Sequence, residues 1–454
     1  MKGLRWGLAL LAAGAAALLL WRLRRFPDPP RARLAILVSG DSGPGIQALL
    51  QDLAESQGRW VVVPAGAPAP QLRLQARRKG PTLELTGDLG GDPLPACAGT
   101  PPEALAALAA RLGLQPPGSR LLPAAPDRAW ELLDLAGRSQ DETTQDLLRR
   151  AEALVAAEPG CAEARLALAT LQTRFLVERV DADTLEAQQA CETNLQTALD
   201  LEPDLPRLVE LAAIHYSDVG RQREALARLR VAMRRHPGAL PLDNALAYAA
   251  RTSGLLDLAD RALERQARLS GLPRGPARLA DNGLLYAGRY AAFEAGVRRL
   301  PAGPLRAFYL GYARLVQGDR AEALAHFTEA RPGGLGSVLF VRLSEIYRLA
   351  LEDRPAEALA ALRAFEAERL QIHLPDGEFT FKLAEAYGFL DRPREALEVA
   401  ERAAVQGFTC TPWFEGSPFL AGARASVQWP SLDQHLRERQ RLLEEAFPPE
   451  GFGL

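Results

Sequence analysis

The sequence predicts a mainly α protein in three parts: an N-terminal transmembrane helix, a small α/β segment, and an α-solenoid of about eight helix pairs. Three observations predict it. An uncharged apolar run between two tryptophans opens the chain, and short strand-type runs punctuated by Gly and Pro follow it. From residue 206 onward, small, apolar and turn residues recur with a period of 34. The expected boundaries are 1–26 for the anchor and its flanks, 27–122 for the α/β segment, 123–408 for the solenoid and 409–454 for a capping segment.

The anchor comes first. Trp6 to Trp21 reads WGLALLAAGAAALLLW, and counting Leu4 to Leu23, with Arg5 and Arg22 reaching outward, gives about 20 residues, enough for a bilayer core. A cleaved signal peptide needs small residues just beyond the apolar run, whereas Trp21, Arg22, Leu23, Arg24 and Arg25 follow here, so retention is expected. The flanking charges and the layout of the chain favour opposite orientations. Arg22, Arg24, Arg25, Arg31 and Arg33 outnumber Lys2 and Arg5, which favours a cytoplasmic body. A single span followed by a large globular region has the layout of a signal anchor that exports its C-terminal side.

After the joint Phe26-Pro27-Asp28-Pro29-Pro30, the α/β segment begins with Ala32 to Ser39, a continuous apolar run that reads as a buried strand. Pro44 to Gln57 carries Ile46, Leu49, Leu50 and Leu53 at helical spacing, and Trp60 to Val63 reads as a second strand. Leu72 to Arg77 and Thr82 to Thr86 flank Lys79-Gly80-Pro81 as a hairpin, and Pro102 to Leu112 closes the segment as a helix. The expected order is βαβββα.

The repeat carries the strongest signal. From Pro206, the residues Tyr216, Gly220, Ala225, Leu229, Ala232 and Pro237 fall at positions 11, 15, 20, 24, 27 and 32 of a 34-residue unit. Small residues at positions 8 and 20, here Ala213 and Ala225, let two antiparallel helices approach, and Pro237 ends the second helix. The register continues from Leu240, with Ala247, Gly254, Ala259 and Leu263, and from Arg274, with Gly288 and Tyr290. A unit near Pro304 carries Gly311, Gly318, Ala323, Phe327 and Ala330, and later units place Ala358 and Ala396 at position 20. Upstream, Asp127 to Gly160 is a looser unit. Cys161 to Asp204 is a longer one that places Cys191 at position 20.

Composition limits the chemistry. At 48% hydrophobic and 24% charged residues the chain should fold, and a net charge of −2 gives no bulk attraction to nucleic acid, so no nucleic-acid partner is expected. Cys97, Cys161, Cys191 and Cys410 form no CxxC pair and have no histidine at ligand spacing; no metal and no other cofactor is expected, and each cysteine reads as a small buried residue. His215, His236, His326, His373 and His435 are dispersed and expected at surfaces or helix ends.

The recurring positions resemble the tetratricopeptide repeat family over about 300 residues. Tryptophan at position 4 never occurs, and glycine at position 8 occurs only as Gly311. The order of α/β segment and repeats also resembles the TolB-like plus tetratricopeptide region of bacterial membrane-anchored signalling proteins, without their kinase or DNA-binding head. That resemblance implies a single-pass protein of a bacterial inner membrane, with the exported orientation favoured for its body. It also implies a non-enzymatic scaffold whose concave face, lined by the first helix of each unit, binds a protein or peptide. Groove candidates are Asn244, Tyr248, Arg251, Arg278, Asn282, Tyr286, Phe308 and Tyr312. Arg278 and Asn282 match two positions of the carboxylate-clamp subfamily, but Phe340 and Ser344 stand where its later basic residues belong.

Two other functions deserve comparison. A ligand sensor acting through the α/β segment follows from the same resemblance. A serine hydrolase would use Ser42, because Leu37-Val38-Ser39-Gly40-Asp41-Ser42 resembles the first block of the GDS-type esterases. That chemistry needs a base, and the first histidine is His215, inside a repeat. The family's GxND and DxxH blocks are also missing, so the stretch reads as a polar turn and helix cap.

Overall fold

The computed structural model describes residues 32–114 and 141–454, except 41–42, 58–59, 65, 80–81, 179–183, 204, 275–280, 332–336 and 371–375, together with Ala129 and Leu132. The apolar run at 4–23, Ser42 and Arg278 lie outside these residues. Among the described residues no helix is long and apolar enough to cross a membrane.

The α/β unit begins with β1 (Arg33–Gly40), α1 (Gly43–Ser56), β2 (Val61–Val63) and β3 (Gln71–Lys79). It continues with β4 (Thr82–Leu89), β5 (Asp92–Gly99) and α2 (Pro101–Arg111). The sheet order is β2-β1-β3-β4-β5; β1 runs parallel to β2 and β3, and the remaining pairs are antiparallel. The expected hairpin forms with Lys79 opposite Thr82. One strand was not expected. β5 contains Pro93 and Pro95, which cannot donate to a ladder, and it is accommodated because it lies at the sheet edge. Alternation sends Leu34, Ile36, Leu72, Leu74, Leu83, Leu85 and Cys97 to the face covered by Ile46, Leu49 and Leu50 of α1 and Leu105 and Leu108 of α2.

The helical array starts with α3 (Asp141–Ala157), followed by α4 (Ala162–Glu178) and α5 (Thr184–Leu201). The in-register units supply α6 (Pro206–Asp218), α7 (Gln222–Arg235), α8 (Leu240–Thr252) and α9 (Leu256–Ser270). A truncated unit, α10 (Asn282–Tyr286) and α11 (Tyr290–Val297), leads to α12 (Pro304–Val316) and α13 (Arg320–Glu329). Then come α14 (Ser337–Leu351), α15 (Pro355–Arg369), α16 (Gly377–Phe389) and α17 (Pro393–Val405). The chain ends with α18 (Thr411–Gly416), α19 (Ala421–Arg424) and α20 (Trp429–Ala446). From α4 to α17 these are seven antiparallel pairs among the described residues.

Every in-register hairpin turns in the same way. Gly220, Gly254, Gly288 and Gly318 have φ between 71° and 84°, a left-handed conformation that glycine adopts without a Cβ penalty. The next amide then reaches back to the first helix: Arg221 to the Tyr216 carbonyl at 2.7 Å, Leu255 to Ala250 at 2.9 Å, Arg289 to Leu284 at 2.8 Å, and Asp319 to Arg314 at 2.9 Å. Asp353 and Asp391 hold the same place in the last two hairpins, with φ of 59° and 55°. At the helix crossing, Ala225, Ala323, Ala358, Ala396 and Cys191 are all fully buried. A Cβ on Gly311 would lie 2.8 Å from the Phe327 ring, so the glycine at position 8 sets the spacing of α12 and α13.

The buried side chains form two large cores. One joins the α/β unit to α4–α9 and takes in Leu443, Phe447 and Phe452; the other runs from Leu284 to Leu436. The α20 helix belongs to both. His215 and His236 are buried at helix ends, and burial lowers the His215 pKa from its ordinary value.

Candidate functional site

The inner positions of the first helices meet one another and not an open groove. On α8, the Asn244 amide donates to Glu210 at 3.1 Å and the Tyr248 hydroxyl to Asp218 at 2.5 Å. Arg251 stacks 4.9 Å over the Tyr248 ring and donates to Glu378 on α16 at 2.6 Å. Asn282 donates to Glu378 at 2.7 Å and to the Tyr309 hydroxyl at 2.9 Å, and the Tyr286 hydroxyl also bonds Glu378. One carboxylate therefore gathers side chains from α8 and α10.

A second cluster lies one turn further along α16. Lys382, 2% exposed, donates to the Tyr312 hydroxyl at 2.9 Å and to Glu385 at 3.1 Å. Its ammonium sits 4.0 Å from the Tyr312 ring centroid and 5.2 Å from that of Tyr286, so the rings supply the cation–π part of its surroundings. Glu385 also accepts from Tyr312 at 2.5 Å and from Ser417 at 2.7 Å. Phe308 is stacked on Tyr312 at 5.6 Å and packs against Phe340.

These contacts correct the groove assignment. Asn282, Tyr286, Phe308 and Tyr312 are buried, and the face that would receive a peptide is filled by α16, a later unit of the same chain. Arg251, Asn282 and Tyr286 meet at Glu378, whereas Tyr248 is turned to Asp218. Asn244, Tyr248 and Arg251 keep partial exposure, together with Glu210, Asp218 and Asp376. Glu210, Asp218, Asn244, Tyr248 and Arg251 form a polar ledge on α6 and α8, and Asp376 stands beside it as the residue that caps α16.

The charges on this ledge are unevenly satisfied. Burial opposes the charge of Glu378, but Arg251 and the hydrogen bonds from Tyr286 and Asn282 outweigh it and hold the carboxyl below its ordinary value. Burial and the neighbouring Glu378 push Asp376 up instead. Burial, then the charge of Asp376, raises Asp218 despite its bond from Tyr248.

Glu378, Lys382 and Glu385 were missed as inner-face residues, although a signal for them existed. Counting back from Ala396 at position 20 places Glu378 at position 2 and Glu385 at position 9, which line the inner face in any unit. The glycine of the esterase-like block has a backbone explanation: Gly40 has φ of 91°, and a Cβ there would stand 2.1 Å from the Ala76 carbonyl oxygen.

No family model matches the chain, and no curated protein matches it. Solved structures do. PilW, a type IV pilus biogenesis factor, is 12% identical, with a TM-score of 0.28 over 54% of this chain and 94% of its own. Human IFIT1, solved as a dimer with m7Gppp-AAAA, is 15% identical, with a TM-score of 0.42 over 67% of this chain and 76% of its own. The tetratricopeptide repeat domain of P58(IPK) is 11% identical, with a TM-score of 0.19 over 72% of this chain and 96% of its own. The repeat assignment stands on the chain's own register of crossing residues and left-handed turns.

Proposed function

We propose that this protein is a membrane-tethered helical-repeat scaffold that binds a protein or peptide partner and catalyses no reaction itself. The apolar run at 4–23 supports the tether, and the array supports the scaffold. The observation that carries the partner reading is the ledge. Asn244, Tyr248 and Arg251 offer an amide, an aromatic ring and a guanidinium that stay partly exposed, while Asn282, Tyr286, Phe308 and Tyr312 are buried.

Truncating a central aromatic anchor costs about 2 kcal/mol or more of binding, whereas most neighbouring contacts cost little. Proximity labelling from the native membrane, with the parent chain and with Asn244→Ala/Tyr248→Ala, is the direct test. The ledge variant should lose proteins that the parent labels while keeping its helicity and membrane attachment. Arg228→Ala/Arg261→Ala, on the second helices, should keep them. The opposite pattern would place the partner on the outer face.

A further inference from the structure

The α/β unit meets the helical array along a seam with an apolar half and a polar half. In the apolar half, Ala35, Val61, Val63 and Ala67 close around Leu240 of α8, with Leu269 and Leu272 beside them, and the core shared with α4–α9 continues behind this cluster. The polar half brings together Asp52 and Glu55 of α1, Glu163 of α4 and Glu210 of α6. Arg207 of α6 lies among them, its Nε 2.9 Å from Asp52 and its Nη2 2.9 Å from the Gln51 amide oxygen.

Asp52, Glu55 and Glu163 are at most 4% exposed, and Glu55 Oε2 and Glu163 Oε1 accept no hydrogen bond among the described residues. The other facing groups do not rebalance the charge. Glu202, beyond α5, adds a negative charge near Glu163, and the Cys161 thiol lies 3.5 Å from the same carboxyl. Arg33 of β1 is bonded to the Arg268 carbonyl of α9, and β2 consists of three valines.

We propose that this seam is a proton-controlled latch, docked while its buried carboxyl groups are protonated and released when they ionise. One guanidinium can balance one carboxylate. Further carboxylates in the same desolvated patch would repel the first and have no second counter-charge among the described residues, whereas in water each is solvated. Burial, only partly offset by Arg207, holds Asp52 at about 7 and Glu55 at about 8. Burial likewise holds Glu163 at about 7.

Each group sits above its ordinary carboxyl value when docked. The docked state therefore keeps its full advantage below that ordinary range and loses it as the pH rises through 7 to 8. Release would uncover Leu240 and the Val61/Val63 face as a contact surface. This inference does not rest on the scaffold reading, because it concerns a contact inside the chain.

The test uses the full chain with Arg73→Cys on the outer face of β3 and Arg223→Cys on α7, labelled with a fluorophore pair; the four native cysteines are buried. Energy transfer should give one narrow distribution at pH 6 and a broad, lower one at pH 9, reversibly and without loss of helicity. Asp52→Asn/Glu55→Gln/Glu163→Gln, which mimics the protonated groups, should keep the pH 6 distribution at pH 9. An unchanged parent distribution would overturn the latch. So would a variant that opens like the parent, or a loss of helicity that accompanies the opening.

Discussion

Glu378 is a single carboxylate that satisfies a guanidinium, an amide and a phenol from two other repeats. Removing one member of a buried ion pair leaves the other charged and unpaired, at a cost of about 3–5 kcal/mol. Glu378→Ala should therefore lower stability by about that amount in denaturant unfolding, and Glu378→Gln, which keeps an acceptor for Asn282, by less. Its pH dependence opposes that of the seam. The Glu378 carboxyl lies below its ordinary value, so its contribution is present above the ordinary carboxyl range and is lost as the pH falls through its folded value. Acid unfolding of the parent should thus be steeper than that of Glu378→Gln. Equal steepness in the two proteins would refute the assignment of Glu378 as the charged hub.

Within each hairpin, a left-handed turn and a small crossing residue do the positioning. A Cβ on Gly318 would meet no atom within 4 Å, so its φ of 84° isolates the backbone term. Gly318→Ala should cost about 1–2 kcal/mol through that conformation alone. Ala225→Trp, at a fully buried crossing, should cost about 1–3 kcal/mol or more through overpacking. Thermal unfolding that matched the parent for either variant would contradict the register. These elements were legible because the contacts that define a hairpin join residues close in sequence. Asp353 and Asp391 escaped notice as turn residues because aspartate reaches the left-handed region less often than glycine. In the unit from Arg274, position 20 is the bulky Phe293, and its first helix is only five residues long.

Across the whole molecule, the last units fold back onto the earlier ones. The Thr409 amide donates to the Thr252 carbonyl at 2.8 Å, the Gln222 amide bonds the Gly407 carbonyl, and Arg439 reaches the Gly220 carbonyl at 2.6 Å. Gly407 makes this approach possible. Its φ is 102°, and a Cβ there would stand 2.4 Å from the Ser217 carbonyl oxygen and 2.8 Å from the Gly220 amide. Gly407→Ala should loosen the fold-back without melting the hairpins. Hydrogen exchange should then quicken at the Thr409 amide while amides inside α6 and α12 keep their protection. Uniform protection across both sets would show that the fold-back does not depend on this glycine.

The sequence by itself determined the hairpins, their turns, their crossing residues and most of the sheet, because each depends on spacing within a few tens of residues. It placed Arg251, Asn282 and Tyr286 on a groove surface, whereas in the structure all three bond Glu378. What lies opposite them was decided only by the tertiary structure. Arg251 and Glu378 are 127 residues apart, and whether the array leaves its inner face open depends on small rotations summed over every intervening unit. No local pattern records that sum. α16 fills the face that a partner would otherwise occupy, and Gly407 sits where the last units touch the earlier ones.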